Sequence, residues 1–329
     1  MSEKRTRILE LFRQSSEGYL SGEEICRDLG ISRTAVWKQI RQLRDLGYEI
    51  EAVPSKGYSL RSSPDTLIPS EVKAGLETVS VGRDIVFFEK TDSTNLQARA
   101  LAEQGAAEGL VVIADQQSEG KGRMGRFWVS PPRVNLYLSV LLRPAIELQN
   151  VTQITFLSAV AVAEAIEASG SFKPQLKWPN DVLLNGKKVA GLLNELNAET
   201  EQLHFLILGI GVNLNMTNDQ FPSNLRAPAT SLLIEGSREV SRLVFVRTLL
   251  EHIDRLYRLY LAEGFSPILQ AWEKRCRMIG RKVEVDFQHS RLVGTVKGLD
   301  EAGALMLSLA NGAEERILAG DVKLLDEDN

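Results

Sequence analysis

The residues of this chain best equipped for chemistry are a loop, Gly120-Lys121-Gly122-Arg123-Met124-Gly125-Arg126, and a later pentapeptide, Lys177-Trp178-Pro179-Asn180-Asp181. Glycines let backbone N–H groups come close to an anion, and Lys121, Arg123 and Arg126 neutralise it. The pentapeptide adds a fixed polar platform at the exit of a strand. Together these parts suit the task of holding two anions side by side while a carboxylate is activated by ATP. Taken alone, the loop could equally be a solvated turn or a contact for nucleic acid. Ordering it without a ligand costs conformational entropy, so it is expected to be mobile when empty.

The loop matches G-x-G-x-x-G literally, which tests for a dinucleotide site. That motif opens a helix and needs an acidic residue about 20 positions on. Here Phe127-Trp128-Val129-Ser130-Pro131-Pro132 follows, and the prolines forbid a long helix before a strand at Asn135 to Leu142. A P-loop also fails, because Lys121 is not followed by Ser or Thr.

The elements that must position these residues are legible around them. Ile85 to Phe88 reads as a strand, and Thr91-Asp92-Ser93-Thr94-Asn95 leads into a helix through Ala102. Thr94 and Gln97 suit a capping box, and the same hydroxyl and amide groups could bind a polar head group. Leu110 to Ala114 is a strand. Gln175 to Trp178 is another, halted by Pro179. Val182 to Leu184, Asn185-Gly186 and Lys187 to Leu196 form a hairpin, since Asn-Gly suits a type I′ turn. Strand alternation turns one of Lys187 and Lys188 inward. If Val182 and Leu184 flank the core, Lys188 points toward the glycine loop, although a lysine after a turn is commonly a solvated edge residue. Gly209 to Asn215 ends a buried strand in small residues and amides, consistent with close approach to a nucleotide. Competing chemistry lacks support. His204, His252 and His289 have no metal-like spacing, His204 alternates with apolar strand residues as a structural group would, and no G-x-S-x-G elbow exists.

The N-terminal segment has another character. Ile8, Leu9, Leu11 and Phe12 repeat at helical spacing, Ser21 caps a second helix, and Gly30 ends it. Ser32 then caps a third helix, with Val36, Ile40 and Leu43 on one face. Arg33, Trp37, Arg41 and Arg44 lie on another, with Thr34 and Lys38 beside them. Gly47 stops it. Tyr48 to Val53, the turn Pro54-Ser55-Lys56-Gly57 and Tyr58 to Leu60 read as a hairpin. This is a winged helix-turn-helix, with the third helix suited to a major groove and Lys56 of the wing to phosphate. The alternative is a small helical domain used for protein contacts. Ser62 to Asp65 reads as a linker.

At 329 residues, 43% hydrophobic and 25% charged, the chain has room for two or three globular units. A net charge of −4 excludes a chain basic throughout, yet Ser32 to Leu46 sets Arg33, Lys38, Arg41 and Arg44 against Asp45 alone. Phe205 to Val212 and Leu157 to Ile166 fall short of the roughly 18 apolar residues of a membrane span. The charged start, Met1 to Arg7, lacks the apolar stretch of a signal peptide. Cys26 and Cys276 form no framework and are expected as buried apolar filler. No membrane role and a cytoplasmic location are the expectations.

The winged head, the Asp-Ser-Thr-Asn segment, the G-x-G-R-x-G-R loop, K-W-P-N-D, K-x-A-G and G-x-G-x-N together resemble the bifunctional biotin–protein ligase and biotin-operon repressor family of bacteria, over nearly the whole chain. The resemblance implies an α+β protein. Residues 1–63 would be the winged helix-turn-helix, 66–278 a mixed-sheet catalytic domain of the class II synthetase-like, biotin ligase type, and 279–329 an SH3-like β-barrel. It implies that biotin and Mg-ATP (Mg2+ entering with the nucleotide, with no dedicated metal site) give biotinyl-5′-adenylate, and that the acyl group passes to one lysine of a biotin carboxyl carrier protein. Ser93, Thr94, Asn95 and Gln117 would bind biotin and its surroundings. Lys121, Gly122 and Arg123 would close over the adenylate, and Lys188 would meet the biotin carboxylate, making Arg123 and Lys188 the catalytic pair. Trp128 would stack on adenine, with Asn180, Asp181 and Asn213 at the nucleotide. Ser32, Arg33, Thr34, Trp37, Lys38, Arg41 and Lys56 would bind operator DNA as an adenylate-favoured homodimer. Lys121 stands where many members have arginine, which keeps charge and loses bidentate geometry. An effector-binding repressor without turnover and a lipoate-type ligase are the rival readings.

Overall fold

A computed structural model describes residues 3–15, 18–199, 202–225, 227–287 and 290–325. His289 and the first two residues lie outside them. The chain divides into two compact units, Met1–Thr66 and Leu67–Asn329.

The first unit comprises α1 (Glu3–Gln14), α2 (Gly22–Leu29), α3 (Arg33–Asp45), β1 (Glu49–Val53) and β2 (Gly57–Ser62). Ser21 and Glu24 make a reciprocal capping box at α2, and Gly30 ends that helix in the left-handed region at φ 63°. The Ser32 hydroxyl accepts from Ala35 N–H at 3.3 Å, so α3 starts where its sequence says. Val36, Ile40 and Leu43 of α3 are buried against Ile8, Leu9 and Ile25. β1 and β2 pair antiparallel as the wing.

The second unit is built on a seven-stranded mixed sheet. Its elements are α4 (Pro69–Lys73), β3 (Ile85–Phe88), α5 (Thr94–Glu103), β4 (Val111–Ala114), β5 (Leu136–Leu142), α6 (Val151–Ser169), β6 (Gln175–Lys177), β7 (Asp181–Leu184), β8 (Lys187–Glu199), β9 (Gln202–Val212), α7 (Leu232–Gly236), α8 (Arg242–Glu263) and α9 (Ser266–Glu273). Strand order is β3-β4-β5-β9-β8-β7-β6, with only β3 and β4 parallel. The alternation of each strand divides its side chains between two faces. Val111, Ile113, Leu206 and Leu208 join the large core of α6 and α8, while Val112, Leu141, Phe205 and Ile207 pack with Ala98 and Ala102 of α5. The segment Leu148–Ser169 is apolar enough, by length and composition, to cross a membrane, which its interrupted sequence did not suggest; most of it is buried inside this fold.

A second sheet, β10 (Lys282–Phe287), β11 (Ser290–Leu299), β12 (Leu305–Leu309), β13 (Glu314–Ile317) and β14 (Asp321–Leu324), is antiparallel in the order β13-β12-β11-β10-β14. Its Val283, Val285, Leu305 and Leu307 belong to the same core as α6. Cys26 and Cys276 are half-buried at the margins of the two cores rather than fully buried, and burial pushes the Cys276 thiol up to about 11.

Asp254 of α8 is the main polar anchor of this unit. Its buried carboxylate accepts from the N–H groups of Val79, Ser80 and Val81 at 3.1, 2.7 and 3.0 Å, and from Arg258 at 3.0 Å. Burial alone would raise its carboxyl, but the backbone donors reverse this and hold it below the usual range. A depressed folded pKa gives stability that is complete above the unfolded value and is lost as pH falls through the folded one. Asp254→Ala should therefore cost about 3 kcal/mol at pH 7. In urea titrations the gap between variant and wild type should shrink on acidification toward pH 3, and a gap that stays constant would refute the ionised anchor.

Candidate active site

The α5 face of the main sheet is paved with glycine beyond the helix. Gly191 of β8 pairs with Gly211 of β9, and Gly209 pairs with Ser139 of β5. Each bare position is occupied by a neighbour. A Cβ on Gly209 would lie 2.2 Å from Asn95 Oδ1, and one on Gly211 would lie 2.6 Å from Trp128 Nε1. A Cβ on Gly191 would meet the Trp128 ring at 2.9 Å and Lys188 Nζ at 3.2 Å. The glycines therefore let an amide and an indole lie against the sheet backbone.

One end of this face is a polar nest. Gln117 Oε1 accepts from Thr94 N–H at 2.9 Å, and Gln117 Nε2 donates to Ser130 Oγ at 2.9 Å. The Ser139 hydroxyl lies 2.8 Å from Thr94 Oγ1 and 2.6 Å from Asn95 Oδ1, and its one hydrogen serves one of them at a time. Asn95 Nδ2 donates to Glu195 at 2.7 Å. Ser93, Thr94, Asn95 and Gln117 are all buried, so hydroxyl and amide groups are gathered where water is scarce. The expected capping box is not formed. Ser93, extended at φ −153°, is the N-cap; Thr94 is the first helical residue and turns to Gln117, while Gln97 donates to Asp92 at 2.9 Å.

The other end is cationic. Lys188 Nζ lies 2.6 Å from Asp181 Oδ1 and 5.4 Å from the centre of the Trp128 ring. A β-bulge puts it there. Ala190 pairs with Val182 and Lys188 with Leu183, which leaves Val189 without a partner on β7. The extra residue reverses the alternation, so Lys188, rather than Lys187, shares a face with Gly191. Asn185 and Gly186 have φ of 48° and 76°, as a type I′ turn requires. Arg123 donates to Asn180 Oδ1 at 3.3 Å, and Asn180 Nδ2 donates to Leu192 O at 2.6 Å. Burial holds the Arg123 guanidinium below its ordinary value, opposed by the nearby charges of Asp321 and Asp181. Arg126 pairs with Asp321 at the start of β14, which ties the loop to the C-terminal sheet. No helix follows the loop; a single 3₁₀ turn, Arg123–Gly125, closes it.

A sheet face with a buried polar nest at one end and a lysine, an arginine and an indole at the other fits a small acid beside a nucleotide. Relatives carry the same frame. Residues 4–59 match an HTH domain, 87–213 the biotin/lipoate A/B protein ligase family, and 278–325 the biotin protein ligase C-terminal domain. The chain is 39% identical to the bifunctional ligase/repressor BirA of Bacillus spizizenii over 97% of its own length and 98% of that protein's. It belongs to the bifunctional biotin–protein ligase and repressor family. It is also 31% identical to Escherichia coli BirA, covering 92% of each chain. A biotin protein ligase from Aquifex aeolicus, solved with biotin and ATP, superposes with a TM-score of 0.64 at 29% identity, over 74% of this chain and 98% of that one.

Within this ligase/repressor frame the expected residues divide. Thr94, Asn95, Gln117, Trp128, Lys188, Asp181, Asn180 and Arg123 come together on one face. Lys121 is exposed and bridges Phe127 through its backbone, and Gly122 N–H donates to Arg126 O at 2.7 Å. Asn213 is committed within the chain: its Nδ2 donates to Thr230 O at 3.1 Å and its Oδ1 accepts from Asn135 at 3.3 Å. Trp178 of the pentapeptide is a core residue that donates to Gly303 O at 3.2 Å. Ser139, Ser130 and Asp321 were missed. Only Ser139 carried a signal, a lone serine among the aliphatic and aromatic residues of Leu136–Leu142.

On the head, Arg33, Thr34, Lys38 and Arg41 are exposed on α3. Trp37 keeps 54% of its surface open, with the Arg41 guanidinium 5.7 Å from its ring centre. Lys56 of the wing lies 5.1 Å above the Tyr19 ring. Arg44 leaves the basic face, because its guanidinium donates to Ile50 O at 2.8 and 2.6 Å and secures the wing to α3.

Proposed function

We propose that this chain condenses biotin with ATP, releasing pyrophosphate, and transfers the acyl group to a lysine of a biotin carboxyl carrier protein. The observation that carries this reading is the single sheet face that sets the Thr94–Gln117–Asn95 nest beside Lys188, Trp128 and Arg123. The nest suits the fused ureido ring of biotin, which offers both donors and acceptors. The carboxylate then extends along the glycine floor toward Lys188. A carboxylate oxygen attacks the α-phosphorus and the bond to the β-phosphate oxygen breaks, so no protein nucleophile is needed. Charge builds on the phosphoryl oxygens, where Lys188 and Arg123 meet it. Trp128, packed against Gly191 and Gly211, is the group that would stack on adenine. In the second step the acceptor amine attacks the acyl carbon and AMP leaves.

Mg2+ enters with the nucleotide as part of the substrate. Among the described residues no three metal-ligating side chains cluster, and Asp181 with Asn180 offers the few oxygens that a phosphate-bound Mg2+ needs. Asn213 acts at one remove, as a brace for Thr230. We read the C-terminal sheet as an SH3-like barrel and the main sheet as class II synthetase-like, with domains at 1–63, 66–278 and 279–329. We place the protein in the cytoplasm.

The head is a repressor module in the same reading, and adenylate binding favours a homodimer that spans two operator half-sites. The small molecule acts only by binding the DNA-competent dimer more tightly. Purified protein with labelled biotin and Mg-ATP should accumulate biotinyl-adenylate and pass the label to a carrier domain; tight biotin binding without adenylate would overturn the enzyme reading. Arg33→Ala and Arg41→Ala should each weaken operator binding and lower the salt dependence of affinity by about one unit of slope. Unchanged slopes in both variants would remove α3 from the DNA.

A further inference from the structure

We propose that Glu235 is a positioning residue for Lys188, acting as a clamp that fixes the lysine's strand against the segment Pro228–Thr230. Nothing in the glycine loop or the pentapeptide calls for this residue. Its side chain is 11% exposed, and its carboxylate has three partners, Thr230 nearby in the chain and Asn185 and Lys187 at the distant hairpin turn. Oε1 accepts from the Thr230 hydroxyl at 2.6 Å, Oε2 accepts from Asn185 Nδ2 at 2.6 Å, and Lys187 Nζ lies 3.6 Å from Oε1. Asn185 is in the turn that leads into β8, three residues before Lys188.

Thr230 is tied directly to the lysine's backbone. Thr230 N–H donates to Lys188 O at 2.9 Å, and Lys188 N–H donates to Pro228 O at 2.8 Å. Lys188 is thus bonded on both sides of its Cα by a strap that Glu235 fastens to the hairpin turn. Asn213 completes the frame: its N–H donates to the bulged Val189 O at 2.8 Å and its amide to Thr230 O. A bulge places one extra residue without a cross-strand partner, so its shape has to be held from elsewhere. Here it is held by the strap. Loss of the carboxylate frees the turn from the strap, and an ammonium that must meet a developing charge tolerates little displacement.

The inference rests on the reading of Lys188 as the charge-stabilising group, and the test separates the two. ATP–pyrophosphate exchange with biotin should be measured on the full chain for Glu235→Ala, Glu235→Gln, Lys187→Ala and Lys188→Ala, with a melting curve for each. Glu235→Ala should lower kcat about tenfold while both KM values stay within about twofold. Glu235→Gln should recover most of the rate, since its amide still accepts from Thr230 and donates to Asn185 turned over. Lys187→Ala should stay near wild type. A slow Glu235→Gln, or a loss in Glu235→Ala that appears only in KM or follows its melting temperature, would overturn the clamp while leaving Lys188 in place. Full exchange by Lys188→Ala would remove the group to be positioned and overturn both. Should Glu235→Ala fail to fold, Thr230→Val removes one of the bonds at constant shape and carries the same expectation of lowered kcat at kept KM.

Discussion

Lys188→Ala should lower the rate of biotinyl-adenylate formation about 10²- to 10³-fold, the scale seen when one preorganised charge-stabilising donor is lost. The reaction we assign offers no covalent role to the protein, so the barrier is lowered by position and by charge. Lys188 Nζ is held 2.6 Å from Asp181 and stands over the Trp128 ring, on the face that also carries Gly191. Its ammonium therefore costs little reorganisation when the phosphoryl oxygens gain charge. Lys188→Arg should rescue poorly, because a planar guanidinium does not reproduce a compact ammonium between a carboxylate and an indole. Rapid-quench measurement of adenylate at saturating biotin and ATP reads the chemical step directly. A wild-type burst from Lys188→Ala would exclude the lysine from that step.

The second large effect concerns two glycines of one strand, which should fail in different ways. Gly211→Ala places a methyl 2.6 Å from the Trp128 indole, and Gly209→Ala places one 2.2 Å from the Asn95 amide. Both distances are far inside contact, and such overpacking costs about 1–3 kcal/mol, or roughly one to two decades of affinity. In Gly211→Ala the indole must lift, so ATP binding should weaken while biotin binding is nearly kept. In Gly209→Ala the amide must move away from Ser139, so biotin binding should weaken while ATP binding is nearly kept. Calorimetric titration of each ligand into each variant gives four affinities. Equal weakening of both ligands by both variants would show general damage to the sheet and refute the division of this face into an acid end and a nucleotide end.

What the sequence showed well is local. Ser21, Gly30 and Ser32 bound their helices by capping bonds to near neighbours, and Asn185-Gly186 selects its turn by backbone preference alone. Strands that end at Pro179 or begin after Pro131-Pro132 are marked the same way. α6 left little periodic signal because it is buried on nearly all sides, so apolar residues fill every face. The Thr94–Gln97 pattern misled for a different reason. Thr94 has a long-range partner in Gln117, whose amide is committed to the nest, and the N-cap position falls to Ser93, whose side chain makes no capping bond. Glu235, Thr230 and Asp321 reach the site only through tertiary contacts, and Ser130, two residues after Trp128, has its role fixed by its bond from Gln117. For Lys188 the residue pattern left two adjacent lysines to choose between. The choice is made by Val189, a residue with no chemistry of its own.

That choice depends on where the extra residue sits and hardly at all on which residue it is. Side chains between Gly186 and Gly191 can change with graded effects, and Lys187 can be replaced without touching the site. Were the bulge straightened with every residue kept, Gly191, Val189 and Lys187 would share a face, and Lys187 would stand on the glycine floor in place of Lys188. The chain would keep a lysine of the right charge and lose its reach and its strap. Deletion of Val189 should, by contrast, leave Lys188 two positions from Gly191 and keep much of the adenylation in a variant that still folds, as should alanine at Lys187 or Val189.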